Sequence, residues 1–220
     1  MDNIVIVGSS GHAKVIIDMV EKAGQYRLIG LLDRFRQIGD LTLGHAVLGG
    51  EEHLPDLIQT HQIAGVIVGI GDNFVRAQVV ARIRALCPGL PFVSAVHPSA
   101  QIGKGVVMGS GTVVMAGACI NPDSRVGEHC IVNTRASLDH DSVMGDYASL
   151  APGVTTGGGC VIGPYAAISI GATLIHRMEI GEHAIVGAGA VVTRPVGPHV
   201  VAMGVPAQAV RSRQAGDKYL

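Results

Sequence analysis

Apolar residues recur at every sixth position from residue 102 to residue 197. This stretch divides into sixteen consecutive hexads, and fifteen of the sixteen leading residues are apolar, with Thr156 as the exception. A small residue follows most leads by four positions, as at Ala118, Ala136 and Ala172. A period of six matches neither an α-helix nor an alternating strand. It is typical of a solenoid in which each hexad supplies a short strand and a turn. Three hexads then form one triangular coil, with the leads pointing into a narrow core.

The first 95 residues follow a different pattern, in which apolar runs alternate with amphipathic segments. This alternation is typical of a parallel sheet flanked by helices. It predicts strands at residues 3–7, 27–32, 64–70 and 92–96, and helices at residues 12–22, 52–60 and 73–86. We therefore expect an α/β protein with an added β-solenoid: a small Rossmann-like domain at 1–95, a solenoid domain at 96–210 and a tail at 211–220.

Composition excludes several classes of function. The chain has 220 residues, of which 48% are hydrophobic and 15% charged, as in a well-ordered protein. Its net charge is −1 and it contains no run of Lys or Arg, so it lacks the basic patch of a nucleic-acid-binding protein. No apolar stretch approaches the roughly 20 residues that span a bilayer, and the N-terminus does not resemble a signal peptide. We expect a cytoplasmic protein without membrane insertion.

The four cysteines are expected to be reduced core thiols. Cys130 and Cys160 occupy small inward positions of the hexads, whereas Cys87 and Cys119 are isolated. The absence of a CxxC pair gives no indication of a zinc or redox site.

A glycine-rich turn follows the first predicted strand and opens a helix. Backbone N–H groups at such a turn are suited to binding phosphate. The segment consists of Gly8, Ser9, Ser10, Gly11 and His12. It lacks the third glycine of the dinucleotide fingerprint, so a tight turn without any ligand remains an alternative.

Acidic residues follow the next two predicted strands. Asp33 ends the second strand, where a doubly wound domain usually binds a ribose hydroxyl. Asp72 and Asn73 follow the third strand at the same sheet edge, where ligands of open α/β sheets bind, although Asp72 and Asn73 are equally suited to capping the next helix.

Taken together, these motifs resemble those of the bacterial sugar O-acyltransferase family with hexapeptide repeats. That family includes sialic acid O-acetyltransferases and the nucleotide-4-amino-sugar N-acetyltransferases of bacillosamine and perosamine pathways. The resemblance covers nearly the whole chain. It is carried by residues 5–12, 31–33, 69–73, 97–100, Asn133, 139–141, 151–153 and 204–207. It implies a left-handed parallel β-helix, a homotrimer with active sites between subunits, a nucleotide-sugar bound to the N-terminal domain, acetyl-CoA bound between neighbouring coils, and no metal.

The resemblance also implies roles for individual residues. His140 matches the general base, and the following acidic residue, Asp141, matches its partner, although the sequence leaves open whether Asp139 orients the ring instead. Gly158 lies one coil beyond His140, about 4.8 Å away between strands. The resemblance implies that the Gly158 amide binds the thioester oxygen as negative charge develops.

Further residues are implied in binding. The backbone near Ile170 and Ala188 is expected to line the coenzyme groove, and Asn133 is expected to approach the sugar. Arg34 stands where several relatives carry a second acidic residue, so the identity of the base, in a UDP- or a GDP-sugar, stays open.

We therefore expect acetyl-CoA-dependent N-acetylation of the 4-amino group of a nucleotide-linked sugar by direct transfer. One alternative is O-acetylation of sialic acid or a related sugar. A metal-dependent hydratase similar to γ-class carbonic anhydrases is another, because His140 and His176 lie on one face two coils apart. A nucleotide-sugar binding protein without catalytic activity is the third. His140 also has a simple structural interpretation, as a histidine in a surface turn.

Overall fold

The computed structural model describes residues 1–219. The chain divides into two compact units, one spanning Met1–Pro98 and one beginning at Ser99, whereas the sequence placed the boundary after residue 95.

The first unit contains a five-stranded sheet. Its order is β3-β4-β2-β1-β5, and all neighbouring strands are parallel except β3 and β4. In chain order, residues 1–98 contain β1 Asp2–Val7, α1 Gly11–Ala23, β2 Tyr26–Leu32, β3 Leu41–Thr42, β4 His45–Gly49, a 3-10 turn Glu51–His53, α2 Leu54–His61, β5 Ile63–Val68, α3 Asn73–Leu86 and β6 Ala95–Val96, and β6 is not part of the five-stranded sheet.

The boundaries of α1 follow from its sequence. One face of α1 is apolar and buried, so this face of the helix packs into the first unit. Its residues recur at helical spacing and include Ala13, Ile16, Ile17 and Val20. Gly24 ends the helix in the left-handed conformation, with φ 60°, and its N–H donates to the carbonyl of Val20.

The structure differs from the predicted elements at three places in the first unit. The sequence did not predict the β3–β4 hairpin, because β3 has only two residues and shows no period. The predicted helix 52–60 is a 3-10 turn followed by α2. The predicted strand 92–96 is reduced to β6, while Phe92 forms an isolated bridge to Val66.

The second unit is a three-sided parallel β-helix. From Gln101–Ile102 to Thr173–Leu174, each two-residue strand pairs in parallel with the strand eighteen residues further along, which forms three ladders. The sixteen coil strands are β7 Gln101–Ile102, β8 Val107–Met108, β9 Val113–Val114, β10 Cys119–Ile120, β11 Arg125–Val126, β12 Ile131–Val132, β13 Ser137–Leu138, β14 Val143–Met144, β15 Ser149–Leu150, β16 Thr155–Thr156, β17 Val161–Ile162, β18 Ala167–Ile168, β19 Thr173–Leu174, β20 Glu179–Ile180, β21 Ile185–Val186 and β22 Val191–Val192.

The hexad leads form the core of this unit, as the period predicts. From Val114 to Val192 every lead is buried, and so are the small residues at the inward turn positions, including Cys130 and Cys160. Only the first leads, Ile102 and Met108, are not buried.

One corner of the β-helix carries a stack of aromatic and imidazole rings that the sequence analysis did not predict. Adjacent centroids lie 5.1, 5.0, 4.5 and 5.0 Å apart along the stack. The rings belong to His129, Tyr147, Tyr165, His183 and His199. His129, at one end of the stack, is only 1% exposed, and the ring of Tyr147 stacks on it.

The end of the chain is more ordered than the predicted tail. β23 Val200–Met203 continues one ladder and pairs antiparallel with β24 Gln208–Ser212, which extends into the segment predicted as tail. The last residue, 220, lies outside the described residues. Within residues 1–219, no helix is both long and apolar enough to cross a membrane.

Candidate active site

The polar lead Thr156 changes the backbone next to His140. The Asp139 N–H donates to the Thr156 side-chain oxygen, at 2.9 Å, and the ladder between β13 and β16 pairs only Ser137 with Thr155. Thr156 is 3% exposed, so its hydroxyl requires such a partner. The one break in the apolar series therefore positions the turn that carries His140.

His140 and Asp141 form a hydrogen-bonded pair on this turn. Nδ1 of His140 lies 2.7 Å from Oδ2 of Asp141. Because a carboxylate only accepts, Nδ1 carries the proton and Nε2 of the neutral ring is left with a lone pair. The hydrogen bond to Asp141 raises the pKa of His140, and this effect outweighs desolvation.

Asp139 has a different role from Asp141. Its Oδ1 accepts from the Asn121 side chain at 2.5 Å and from the His140 backbone N–H at 2.8 Å. The hydrogen bond from Asn121, followed by that from the His140 backbone, lowers the pKa of Asp139. Asp139 therefore fixes the backbone of the turn, while Asp141 orients the ring.

Gly158 lies directly beneath the His140 ring. A Cβ atom at Gly158 would lie 2.5 Å from both Cε1 and Nε2 of His140, so only glycine leaves room for this ring position. The Gly158 amide, which the resemblance implies as the donor to the thioester oxygen, has a hydrogen-bond partner within the chain. Gly158 is buried, and its N–H donates to Nδ1 of His176 at 3.1 Å.

These residues line one cleft of about 440 Å³ in the second unit. It is bounded by His140, Asp141, Gly158, Gly159, His176 and Arg177. Across residues 1–219, no three His, Cys, Asp or Glu side chains are grouped as a metal would require.

The residues expected to line the coenzyme groove lie along another edge of the β-helix. Ile170 and Ala188 each follow a lead of β18 or β21 by two positions, whereas His140 and Gly158 follow leads of β13 and β16. Ile170 is 62% exposed, and Ala188 is also exposed. Asn133 lies next to that edge, after β12, with its side-chain oxygen accepting from the Thr134 N–H. The described cleft does not include these three residues.

A second cavity, of about 390 Å³, lies within the first unit at the carboxyl ends of β1 and β2. The predicted residues Gly8, Ser9, Ser10, Asp33 and Arg34 all line it. Oδ2 of Asp33 accepts from the Ser9 N–H at 3.0 Å and from its hydroxyl at 2.5 Å. Asp33, expected to bind ribose, thus also holds the glycine-rich turn in place.

Arg34 is part of a charged group at this cavity. Glu51 accepts from Arg34 at 2.5 Å through one oxygen and from Arg82 at 2.9 Å through the other. Although burial raises the pKa of Glu51, hydrogen bonds from Arg82 and Arg34 hold it below its ordinary value. Two guanidinium groups on one carboxylate leave a net positive charge, which suits a phosphate.

The remaining predicted binding residues do not line this cavity. Nε2 of His12 is buried and has no hydrogen-bond partner among residues 1–219. Burial, followed by the nearby charge of Arg76, lowers the pKa of His12 to about 4, so the ring is neutral near pH 7. Gly11 begins α1. Asp72 caps α3 by accepting from the Val75 N–H, and the buried Asn73 side chain accepts from Arg76.

Several site residues escaped the sequence analysis. His176 was considered only as a metal ligand, and Glu51, Arg82 and Phe35 were not identified. Phe35 lines the cavity of the first unit while remaining 89% exposed, as an aromatic ring does when it offers a free face. The polar lead Thr156 was visible as an exception, but its contact with Asp139 was not.

The similarity to known proteins extends over nearly the whole chain. Residues 3–83 match the PglD N-terminal domain family. The solved structure of a mutant of perosamine N-acetyltransferase from Caulobacter crescentus, bound to CoA and GDP-perosamine, is 36% identical with a TM-score of 0.90, and the match covers 96% of this chain and 98% of that one.

Two further matches agree with this one. The acetyltransferase domain of PglB from Neisseria gonorrhoeae, bound to acetyl coenzyme A, is 29% identical with a TM-score of 0.88, over 94% of this chain and 98% of that one. UDP-N-acetylbacillosamine N-acetyltransferase of Bacillus subtilis is 36% identical over 125 residues, 53% of this chain, and the match spans about half of that relative, 52%. The predicted fold, a Rossmann-like domain followed by a left-handed β-helix, is confirmed.

Proposed function

Because the chain belongs to the family of nucleotide-4-amino-sugar N-acetyltransferases, we propose that it transfers the acetyl group of acetyl-CoA to the 4-amino group of a nucleotide-linked sugar. The observation that carries this proposal is the pair of His140 and Asp141 above Gly158 in an open cleft. The pair supplies a neutral imidazole with a free Nε2 lone pair, which is the group that an attacking amine requires.

The reaction is a direct transfer. The amine nitrogen attacks the thioester carbon while Nε2 of His140 takes one amine proton, and the carbonyl electrons move onto oxygen. The tetrahedral intermediate then collapses, the C–S bond breaks, and the CoA thiolate receives the proton from His140. The negative oxygen of the intermediate needs a hydrogen-bond donor, and the proposal places this donor in the part of the cleft that Gly158 and His176 line.

Covalent transfer through Cys130 or Cys160 has no support in the fold. Cys130 and Cys160 are buried, and burial is the main cause that raises the pKa of the Cys160 thiol, so it is a poor nucleophile at neutral pH.

The cavity of the first unit is proposed to bind the nucleotide. Its glycine-rich turn supplies backbone N–H groups, and Arg34 and Arg82 supply positive charge for the diphosphate. The exposed ring of Phe35 is suited to stacking on the base. UDP- and GDP-linked sugars both fit these features.

A homotrimer with active sites between subunits accounts for the separation of the predicted residues. His140 and Gly158 lie along one edge of the β-helix, and Ile170 and Ala188 lie along another. A groove lined by both sets therefore requires a second chain beside the first.

Since acetyl-CoA and nucleotide-linked sugars are cytoplasmic metabolites, the proposal places the reaction in the cytoplasm.

The test is an acetylation assay with acetyl-CoA as donor and thiol release as readout. UDP- and GDP-linked 4-amino sugars are the proposed acceptors, and free sialic acid tests the O-acetylation alternative. Mass spectrometry of the product locates the acetyl group. We expect turnover with at least one amino sugar and its loss in His140→Ala. Transfer to sialic acid alone, or undiminished turnover of His140→Ala, would contradict the proposal.

A further inference from the structure

The two imidazoles of the cleft are held in opposite tautomers. In His140, Nδ1 donates to Asp141, so Nε2 is the acceptor. In His176, Nδ1 lies 3.1 Å from the Gly158 backbone nitrogen. A backbone N–H only donates, so Nδ1 of His176 is unprotonated and the proton of its neutral ring is on Nε2. One ring therefore offers a lone pair to the cleft, and the other offers an N–H.

The expected oxyanion donor is already engaged. The Gly158 N–H bonds to His176, and a buried amide that gives up this partner must find another. A ring that accepts at Nδ1 also becomes a better donor at Nε2, because hydrogen bonds in a chain polarise one another. The amide thus acts on the cleft through the ring of His176.

From this arrangement we infer that His176 is a catalytic residue, whose Nε2–H donates to the thioester oxygen as it becomes negative. The inference rests on the proposed function and adds the donor to it. As the amine attacks, the carbonyl electron pair moves onto oxygen and is stabilised by the Nε2–H bond. No proton leaves His176, and the oxygen returns to a carbonyl when the C–S bond breaks. Gly158 is then a positioning residue, which fixes the tautomer of His176.

Two conservative variants separate this role from a structural one. In His176→Asn, the amide oxygen takes the place of Nδ1 and still accepts from Gly158, but no donor stands at the position of Nε2. In His176→Gln, the side-chain N–H₂ reaches the position of Nε2, but no acceptor is left for Gly158. A catalytic donor predicts that kcat falls about 100-fold in His176→Asn and His176→Ala and is partly rescued in His176→Gln. The KM for acetyl-CoA should change little, because the bond is made in the transition state.

The tautomer has its own readout, independent of turnover. In protein labelled with ¹⁵N-histidine, the His176 signals, assigned by their loss in His176→Asn, should show a protonated Nε2 and a bare Nδ1. His61→Asn, an exposed substitution in the first unit, serves as the control with unchanged kcat.

The inference would be overturned by wild-type kcat in His176→Asn, by a rise of kcat in His176→Ala, or by a protonated Nδ1. A rise of kcat in His176→Ala would mean that His176 only blocks access to the Gly158 amide. These failures are distinguishable from failure of the proposed function, in which the wild-type enzyme itself acetylates no amino sugar.

Discussion

Nδ1 of His140 lies 2.7 Å from Oδ2 of Asp141, its immediate neighbour along the chain. The close approach is possible because Asp141 adopts a left-handed backbone conformation, with φ 57°, at the corner of the coil. The proposed base and its partner are therefore consecutive residues of one turn.

Asp141→Asn should shift the pH dependence of the reaction. The carboxylate raises the pKa of His140, and the base must be neutral to accept a proton, so activity rises as pH increases through that pKa. Without the carboxylate, the acidic limb of kcat/KM should move to lower pH, and the maximal rate should fall about tenfold or more because the ring is a weaker base. Rate profiles of both proteins from pH 5 to 9 provide the measurement. An acidic limb that stays in place would show that His140 is not the titrating base.

Gly158→Ala should inactivate the enzyme without unfolding it. The new methyl group would occupy the space of the His140 ring. Because this ring can rotate away, the substitution should displace the proposed base and leave the coil folded. We expect kcat to fall at least 100-fold with little change in melting temperature. Gly197→Ala is the matched control in the same β-helix, since a Cβ there meets no atom within 4 Å. Equal activity of the two variants would contradict the assigned position of His140.

Phe35→Ala should weaken binding of the nucleotide-sugar. Loss of one stacking ring costs about 1–3 kcal/mol, which corresponds to a rise of KM of about 5- to 150-fold, with kcat at saturation nearly unchanged. Phe35→Tyr keeps the ring and should keep the KM. Ile38→Ala, which also shortens an exposed apolar side chain but lies outside the cavity, should have no effect. A KM for Phe35→Ala that equals the wild-type value would remove the stacking role.

His12 should make the protein less stable in acid. Its pKa is about 4 in the folded chain and 6.5 when unperturbed, so the unfolded chain binds the proton more readily as pH falls below 6.5. Stability is full above that value and declines until pH reaches about 4, by about 2 kcal/mol between about pH 7 and pH 5. His12→Phe removes this contribution, so its urea midpoint should vary less with pH than that of the wild type, whereas His61→Ala should behave like the wild type. Parallel pH profiles for all three proteins would show that His12 is not buried in neutral form.

Tyr165→Ala should destabilise the β-helix by about 2 kcal/mol, because it removes two ring contacts and leaves a gap in the corner stack. Tyr165→Phe retains both contacts and should melt close to the wild type. Differential scanning calorimetry compares the three proteins. A melting temperature for Tyr165→Ala equal to that of Tyr165→Phe would mean that the ring stack does not stabilise the β-helix.

The sequence alone determined the repeating parts of this protein. A period of six with small partners is compatible with one kind of core, so the coil strands and the buried leads followed directly from it. Helices α1 and α3 of the first unit could also be predicted from the sequence, because α1 shows helical spacing and a capping residue, Asp72, precedes α3. The position of His140 outside the core followed from the same count.

Only the tertiary structure decided which side chains meet. Thr156 and Asp139 come from different coils, as do Gly158 and His176. Glu51 binds Arg34, which lies 17 residues before it, and Arg82, which lies 31 residues after it. Periodicity assigns a residue to a face, but a hydrogen bond depends on ångström-scale distances and on which groups are left without a partner. The occupied Gly158 amide is such a case: its partner is set by the position of one ring in the next coil, which no pattern of apolar and polar residues encodes.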